Sequence, residues 1–464
     1  MQRFSRPIAI LAFVSVLVLT GQGCASGGSS SAGLERVDLE YWRVFDGADT
    51  FDPIIDAYRL AHPNIRINYK KLRFDEYEEE LIRALAEGRG PDIFSVHNTW
   101  MREYQDLLMP MPPTVTIVQQ EQRGSLRKEI VNVAVEKPTM SQKTLQTDFV
   151  EAVLDDVVLS YQSDPRADAE DRIYGLPLSV DTLSLFYNRN LLDSAGIPTA
   201  PPTWTQFQAD VAKLTTLNEA GDIIQSGAAL GTSNNVERVT DILSLIMMQA
   251  GTEMVDERGR VAFNTIPEDV PDDVFPALSA VQFYADFANP TKEVYTWNRS
   301  SPNSFEAFAN GDAAYFLGYS YHAPLIQATA PKLNYGVAKA PQIANSREVN
   351  FANFWVEGVS AQTEHPDWAW DFVMFAAEED NVIGHLEEAG KPTALRSLID
   401  DQIQSVSLAP FAEQLLTAET WYRGRDAEAA EEALKDLIDD IANGTFEDAE
   451  DAVKLASQKV AQTY

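Results

Sequence analysis

Cysteine, histidine and positive charge are all scarce in this sequence, and each shortage disfavours a class of protein. The 464 residues contain one cysteine, Cys24, so the chain cannot form an intramolecular disulfide. The five histidines are scattered without the spacing of metal ligands, and no structural zinc site is expected. Thirty-six basic residues stand against seventy acidic ones, and the net charge of −34 disfavours binding to nucleic acid or to an anionic lipid surface.

Long apolar runs are equally scarce, and the one near the start predicts export. Residues 8–19 form an apolar run that is too short to span a bilayer as an ordinary transmembrane helix. Arg3 and Arg6 precede it and small residues follow, which is the pattern of a secretory signal peptide. We therefore expect residues 1–23 to be removed and the remainder to be exported.

Cys24 lies where this signal peptide would be cut. Gly21-Gln22-Gly23-Cys24 is similar to the lipobox of bacterial lipoproteins, although Gly21 stands where leucine is usual. Residues 24–34 are rich in serine and glycine and predict a flexible tether. We expect lipidation at Cys24 to anchor the protein to the outer face of the cell membrane. The alternative is an ordinary secretory signal with an incidental cysteine.

The sequence also lacks the motifs of the common catalytic and cofactor sites. It has no G-x-S-x-G, no H-E-x-x-H, no EF-hand loop and no G-x-G-x-x-G after a strand. Residues 384–391 come near a phosphate-binding loop, but they have one residue too many between the glycines. Pro392 also stands where serine or threonine should bind magnesium. No catalytic residue, metal or cofactor is therefore predicted.

Strands and helices alternate at the start of the mature chain. Residues 37–42 and 65–69 alternate apolar and polar side chains as strands do, and a helix is predicted between them over residues 50–62. A second amphipathic helix and a short strand over residues 92–96 follow. This β-α-β-α-β order predicts a mostly parallel sheet, with ligands bound beyond the ends of its first and third strands.

The rest of the chain predicts a second α/β lobe after an interruption. Residues 110–148 show no sustained period and are expected to be an inserted surface segment. A strand pattern returns at residues 182–187, and a capping box that begins at Thr203 opens a helix. Further strands are predicted at residues 313–317 and 335–338, and two amphipathic helices end the chain. This length and order predict two lobes.

Five blocks of the sequence occur in an order and spacing that point to one family. They are Gly90-Pro91-Asp92-Ile93-Phe94, residues 174–188 (YGLPLSVDTLSLFYN), Pro202-Thr203-Trp204, residues 305–321 (FEAFANGDAAYFLGYSY) and residues 351–377. The chain resembles the extracellular solute-binding proteins of bacterial ABC importers, in particular the carbohydrate-binding group of the maltose-binding type (family 1). It departs from that family in the segment 110–148 and in Tyr321, where many members carry tryptophan.

The resemblance implies a two-lobed periplasmic-binding-protein-like α/β fold. Each lobe would be a mostly parallel sheet flanked by helices, and the two would close on a solute in the cleft between them. Chain crossings are implied at residues 179–184, 336–341 and 361–366. The expected lobes are residues 35–180 with 337–361, including the insertion 110–148, and residues 181–336 with 362–464. A monomer that binds a small carbohydrate and delivers it to an ABC permease is expected.

The candidate ligand-binding residues follow from the chemistry of a neutral sugar. Its apolar C–H faces and hydroxyl groups need flat aromatic side chains beside carboxylates and amides. The candidates, which follow predicted strands or match contact segments of the family, are Tyr41, Trp42, Asp46, Asn98, Trp100, Glu103, Asp181, Asn234, Tyr321, Asn353, Phe354, Trp355 and Trp421. Core packing explains Tyr41 equally well, and surface capping explains Asn234 equally well. For Asp181, ligand binding is favoured over capping of a neighbouring backbone. The few basic residues near these loops argue against phosphorylated or acidic sugars.

Two other functions remain open on the sequence. An exported enzyme that acts on glycans could use Asp46 and Asp181 as its acid and base. A binding protein with the same cleft could instead dock on a receptor and act as a sensor.

Overall fold

A computed structural model describes residues 33–124, 129–164, 166–268, 270–271 and 274–464. The predicted signal peptide, Cys24 and nearly all of the predicted tether lie outside the described residues. Within the described ranges, no helix has both the length and the apolar character needed to cross a membrane.

The first of two five-stranded sheets forms the predicted β-α-β-α-β unit. Its strand order is Ile65–Leu72, Val37–Val44, Ile93–His97, Trp355–Val359 and Leu176–Pro177. The first three strands are parallel, and Trp355–Val359 runs antiparallel to its neighbours. Helices Ala48–Ala61 and Phe74–Ala86 connect the parallel strands, because parallel strands need a crossover connection. This sheet is mostly parallel, as predicted.

The second sheet is mixed, which corrects the expectation of a mostly parallel one. Its order is Thr216–Leu217, Ile223–Ala228, Ala313–Gly318, Ser184–Asn188 and Tyr335–Lys339. Ile223–Ala228 and Ala313–Gly318 pair in parallel, but Ser184–Asn188 is antiparallel to both of its neighbours. The reason is that Ser184–Asn188 enters this sheet directly from the other lobe. No helical crossover from a neighbouring strand returns the chain in the parallel direction.

Helices cover both sheets. Those beside the second sheet are Arg189–Ser194, Trp204–Leu214, Val239–Gln249, Pro276–Asp286, Ser304–Asn310, His322–Thr329, Ala427–Asn443 and Ala449–Ala461. Thr203 caps one of them as predicted, since its hydroxyl accepts a hydrogen bond from the Gln206 N–H at 3.3 Å. The last two helices are separated by Gly444, whose φ of +61° ends the first of them.

The two helices that directly follow the strand Trp355–Val359 belong to the first lobe. The helices of the first lobe beyond its crossovers are Gln142–Asp148, Glu151–Val157, Pro366–Ala376, Glu379–Ala389 and Ile399–Ile403, whereas Ala409–Ala412 contacts both lobes. Trp370, Phe372 and Leu386 are buried in the first core. The expected boundaries placed residues 362–464 in the second lobe. The packing differs because Pro366–Ala376 buries its apolar face on the strand before it.

A small three-stranded sheet joins the lobes. It contains Asp181–Thr182, Asn350–Asn353 and Ala418–Glu419. In each segment the core changes: Val180 is in the first core and Leu183 in the second, and Phe351 and Ala352 are divided in the same way. The structure thus has crossings at residues 181–182, 350–353 and 418–419. The crossings that the resemblance implied at residues 336–341 and 361–366 are not at those positions in the structure. No pattern in the sequence itself had indicated those two positions.

The segment 110–148 is a long β-hairpin followed by a helix. Strands Thr114–Arg123 and Glu129–Pro138 pair antiparallel over ten residue pairs. Val115 and Ile117 are fully buried in the first core, and Lys137 forms an ion pair of 3.0 Å with Asp371. The base of this hairpin therefore belongs to the core, and only its distal part fits the expected surface insertion. A second hairpin pairs Val158–Tyr161 with Glu170–Ile173.

Candidate functional site

Aromatic side chains from the two lobes face one another across the cleft. Phe45 directly follows the strand Val37–Val44 of the first sheet, and its side chain is 49% exposed. Tyr321 follows the strand Ala313–Gly318 of the second sheet and is 38% exposed. Their ring planes are within 7° of parallel, and the ring centroids are 6.4 Å apart. The two lobes thus present parallel aromatic faces to each other.

Further aromatic rings extend this surface on the first lobe. Phe74 stacks on Phe45 at 5.7 Å, and Trp355 meets both rings edge-on. Trp100 meets Trp355 edge-on at 5.5 Å and packs against both lobe cores. We call Phe45, Phe74, Trp100, Tyr321 and Trp355 the aromatic cleft.

The aromatic cleft is distinguished by its exposure. Within the described part of the chain, the aromatic side chains that are exposed are Phe45, Phe74, Tyr321 and Tyr464. Three of these four lie in the aromatic cleft. Clustered exposed apolar side chains on a soluble protein typically mark a ligand or partner site.

Asp181 holds the turn that carries Tyr321. One carboxylate oxygen accepts hydrogen bonds from the Ser320 N–H at 2.9 Å and the Ser320 hydroxyl at 2.6 Å. The other accepts from the Thr182 N–H at 2.9 Å. Burial raises the pKa of Asp181 to about 6, against the opposing effect of these hydrogen bonds. Asp181 therefore caps a neighbouring backbone, the alternative that the sequence left open.

Arg238 brings a paired positive charge to the cleft from the second lobe. Its guanidinium donates to both oxygens of Asp241 at 2.8 and 2.9 Å, and the Tyr319 hydroxyl donates to the same carboxylate at 2.6 Å. Burial and the charge of Arg238 lower the pKa of His97 to about 3, although a hydrogen bond with Asn353 opposes the change. His97 is therefore neutral at physiological pH.

A polar cavity of about 520 Å³ adjoins Arg238. The loop 233–240 and the helix Ala427–Asn443 form its walls, and Asn234 is exposed to it. Burial, followed by the charge of Asp241 among other effects, raises the pKa of Glu431 on this wall. The cavity offers amide and carboxylate groups of the kind that hydrogen-bond sugar hydroxyls.

Asp46 lies in a buried ionic network of the first lobe. The Lys391 ammonium is 2.6 Å from one carboxylate oxygen, and Arg43 is 3.0 Å from the other. Burial alone would raise the pKa of Asp46, but these two cations lower it to about 2. Arg43 also forms an ion pair of 3.0 Å with Glu357, and the Tyr41 hydroxyl donates a hydrogen bond to Glu357 at 2.7 Å. Tyr41 is therefore a core residue.

Several predicted residues lie outside the aromatic cleft. The ring of Trp42 is buried under the Lys70 ammonium, and Phe354 is in the first core. Trp421 is in the second core, where its indole N–H donates to the Ser244 hydroxyl at 2.9 Å. Each of these rings is used for packing, which explains its apolar character without a ligand.

Asn98 and Glu103 lie near the lobe junction. Asn98 is buried, and its amide donates to Asp156 at 2.9 Å. Asp156 also accepts from the Thr420 hydroxyl at 3.0 Å and is 3.3 Å from Arg423. Glu103 is exposed, and burial with the nearby charges of Glu78 and Asp426 raises its pKa.

The structure therefore brings part of the predicted set together and adds to it. Trp100, Tyr321 and Trp355 line the aromatic cleft, Asp181 and Asn353 support it, and Asn234 lies in the adjoining cavity. Phe45 and Phe74 were missed. Both follow the carboxyl end of a parallel strand, which is the signal that could have identified them.

These features define a class of protein. Two α/β lobes, joined by three chain crossings with an aromatic cleft at their junction, form a binding protein of the periplasmic type. Over residues 46–383 the chain matches the family described as bacterial extracellular solute-binding protein, and it belongs to that family.

Two relatives are similar over most of the chain. The maltodextrin-binding protein MdxE of Bacillus subtilis (strain 168) is 28% identical over 313 residues, which cover 64% of this chain and 69% of that protein. A galactooligosaccharide-binding protein of the same organism is 22% identical over 383 residues, covering 81% and 76%.

The fold is shared with solved structures. The cyclic alpha-maltosyl-1,6-maltose binding protein from Arthrobacter globiformis superposes with a TM-score of 0.70 at 20% identity. The superposition covers 92% of this chain and 99% of that one. The two-lobed α/β fold predicted from the sequence is thereby confirmed.

Proposed function

We propose that the protein captures a neutral carbohydrate in the aromatic cleft. The observation that carries the proposal is the parallel arrangement of Phe45 and Tyr321 on opposite lobes. A sugar ring has two apolar faces, so it can be covered by one aromatic ring from each lobe. The similar proteins named for maltodextrin, galactooligosaccharide and cyclic maltosyl-maltose support this ligand class.

The charges of the cleft favour a neutral ligand over an acidic one. Arg238 is committed to Asp241, and Lys391 is committed to Asp46. Glu237 and Glu431 line the adjoining cavity. A uronic acid or a sugar phosphate would meet these carboxylates, whereas Arg238, Lys391 and the cavity-lining Lys435 each already pair with an acidic side chain.

A glycan-cleaving enzyme is less well supported. Asp46 is buried, and both of its oxygens bond to Lys391, so it has no free face for a nucleophile. Asp181 already accepts three hydrogen bonds. Incubation with oligosaccharides should therefore release no new reducing ends; their appearance, and its loss in Asp46→Asn, would instead establish hydrolysis.

Delivery to an ABC permease completes the proposal. The family is one of extracellular solute-binding proteins. A monomer with lipid at Cys24 and a tether over residues 24–34 would keep the cleft near a membrane permease. Cys24→Ser should move the protein from the membrane fraction to the soluble exported fraction. A sensor that docks on a receptor would be indicated if deletion of this protein left sugar uptake unchanged and abolished a sugar response.

A thermal-shift panel tests the ligand class. Neutral mono- and oligosaccharides should raise the midpoint of unfolding, since a ligand that binds only the folded state stabilises it. Uronic acids should have no effect. A shift with the acidic sugars alone, or with no sugar at all, would contradict the proposal.

A further inference from the structure

Four arginines line one small cavity in a chain that carries an excess of acid. The cavity is about 140 Å³ and is lined by Arg102, Val255, Arg258, Gly259, Trp421, Arg423, Arg425 and Tyr464. None of these residues belongs to the aromatic cleft. Acidic residues outnumber basic ones seventy to thirty-six, so this concentration of one charge is not what the composition would give by chance.

Three of the four arginines form no ion pair with any described residue. Within the described ranges, the side chains of Arg102, Arg258 and Arg425 form no hydrogen bond and no ion pair. Arg423 differs, because it pairs with Asp155 and Asp156 at 3.3 Å. The acidic sequence neighbours Glu103, Glu257 and Asp426 also make no ion pair with the three. Unpaired guanidiniums around one cavity repel one another unless an anion lies between them.

The backbone around the cavity is fixed by its own hydrogen bonds. Asp256 accepts from the N–H groups of Arg258 and Arg260 at 2.9 Å and holds the turn that carries Arg258. The Arg425 N–H donates to the carbonyl of Thr463 at 2.6 Å. The Tyr464 hydroxyl accepts from the Arg423 N–H at 3.1 Å. The side chains therefore project from ordered positions.

We infer that this cavity binds a phosphate-type oxyanion, either free phosphate or the phosphate group of an ester. The planar guanidinium of arginine matches the paired oxygens of such an anion. The volume is about ten times the roughly 10–15 Å³ that one water needs, so a tetrahedral anion has room. The net charge of −34 favours a small free anion over an anionic membrane as its source.

The bound anion contacts both lobes. Arg102 follows Met101 of the first core, whereas Trp421 and the backbone near Val255 pack with the second core. The site therefore joins the lobes at a place separate from the aromatic cleft, and it goes beyond the proposed carbohydrate capture.

Calorimetric titration of the exported chain with inorganic phosphate, at ionic strength held constant with sodium chloride, tests the inference. The double variant Arg258→Gln/Arg425→Gln should lose about tenfold or more in phosphate affinity. Arg66→Gln is the matched control, because Arg66 is also exposed and without an ion pair but lies on the strand Ile65–Leu72. It should leave phosphate binding unchanged, as should Tyr321→Ala, which tests the carbohydrate site separately.

A parallel arm uses vesicles of phosphatidylglycerol and of phosphatidylcholine. Binding of phosphatidylglycerol vesicles without binding of free phosphate, lost in the double variant, would support the oxyanion site and assign its source to a lipid headgroup. Absence of both kinds of binding, or phosphate binding that survives in Arg258→Gln/Arg425→Gln, would overturn the inference.

Discussion

At the scale of single residues, the site depends on side chains that hold others in place. Phe45 has a φ of +65°, which is unusual for a residue other than glycine. This backbone turns the ring out of the strand end and toward the second lobe. Tyr321 is oriented in a different way, by the hydrogen bonds that Asp181 accepts from Ser320.

We expect Asp181 to affect saccharide binding indirectly, by positioning Tyr321. Asp181→Asn removes a charged acceptor of two hydrogen bonds and should weaken saccharide binding several-fold, because the turn that carries Tyr321 loosens. In a Tyr321→Ala background the same change should have almost no further effect. Calorimetric titration of the four proteins measures this coupling.

The control for that cycle is Trp100→Ala, in whose background Asp181→Asn should keep its full effect. Equal losses in the Tyr321→Ala and wild-type backgrounds would mean that Asp181 contacts the ligand directly.

The sequence could predict Trp355 and Tyr321 as candidates, but not which aromatic side chain of a strand faces the cleft. Tyr41 and Trp42 lie on a strand that is covered on both faces, so alternation does not separate core from cleft. The exposure of Phe45 depends on a single backbone angle. Such an angle is set by the packing around it, which a one-sequence pattern does not contain.

At the scale of elements, Asp156 connects the first lobe to the chain beyond the third crossing. It lies on the helix Glu151–Val157, is 2% exposed, and contacts Asn98, Thr420 and Arg423. Burial raises its pKa from the ordinary 3.8 to about 6, although Arg423 opposes the change.

This pKa predicts a pH dependence of stability. Between about pH 4 and pH 6 the native state keeps a proton that the unfolded state has lost, so the free energy of unfolding should fall as pH rises. A difference of two pKa units corresponds to about 3 kcal/mol at most. Urea denaturation across this range should show the fall, and Asp156→Asn should reduce it to the part that Asp181 contributes, since the pKa of Asp181 is also raised to about 6.

The neighbouring Asp155 provides the control, because its side chain is exposed. Asp155→Asn should leave the pH dependence in place. The same slope in Asp156→Asn as in the wild type would refute the assignment to Asp156.

The long hairpin contributes to stability through its base. Ile117→Ala should reduce the free energy of unfolding by about 2–5 kcal/mol, since Ile117 is fully buried in the first core. Val118→Ala, at an exposed position on the same strand, should change it by less than about 0.5 kcal/mol. Chemical denaturation measures both, and equal effects would show that the hairpin does not pack as described.

The elements that the sequence failed to predict are short or exposed. The strands that join the lobes have two to four residues, which is too few for any period to be recognised. The hairpin strand Glu129–Pro138 alternates Val131, Val133 and Val135 with polar or small residues, so its pattern was present. It was obscured by the surrounding Gln, Arg and Lys residues.

At the scale of the whole molecule, three crossings between the lobes suit a hinge that closes on a ligand. Binding to both lobes stabilises the closed arrangement by the difference in affinity between closed and open forms. The order of the sequence blocks predicted two lobes. Their boundaries could not be read from it, because residues distant in the sequence complete each core.

Lobe closure predicts a change in solution scattering. Saturation with a saccharide should reduce the radius of gyration relative to the empty protein, whereas an acidic sugar should not. Identical profiles with and without a bound saccharide would argue against closure, even if binding itself were measured by calorimetry.

Calorimetric titration with the saccharide that gives the largest thermal shift tests the central claim most directly. The wild type should bind one equivalent, and Phe45→Ala/Tyr321→Ala should lose about tenfold or more in affinity. Both rings are partly exposed, so the variant should remain folded, and Leu60→Ala, at an 84% exposed position on the first lobe, should bind as the wild type does. Unchanged affinity in Phe45→Ala/Tyr321→Ala would contradict capture between these two rings.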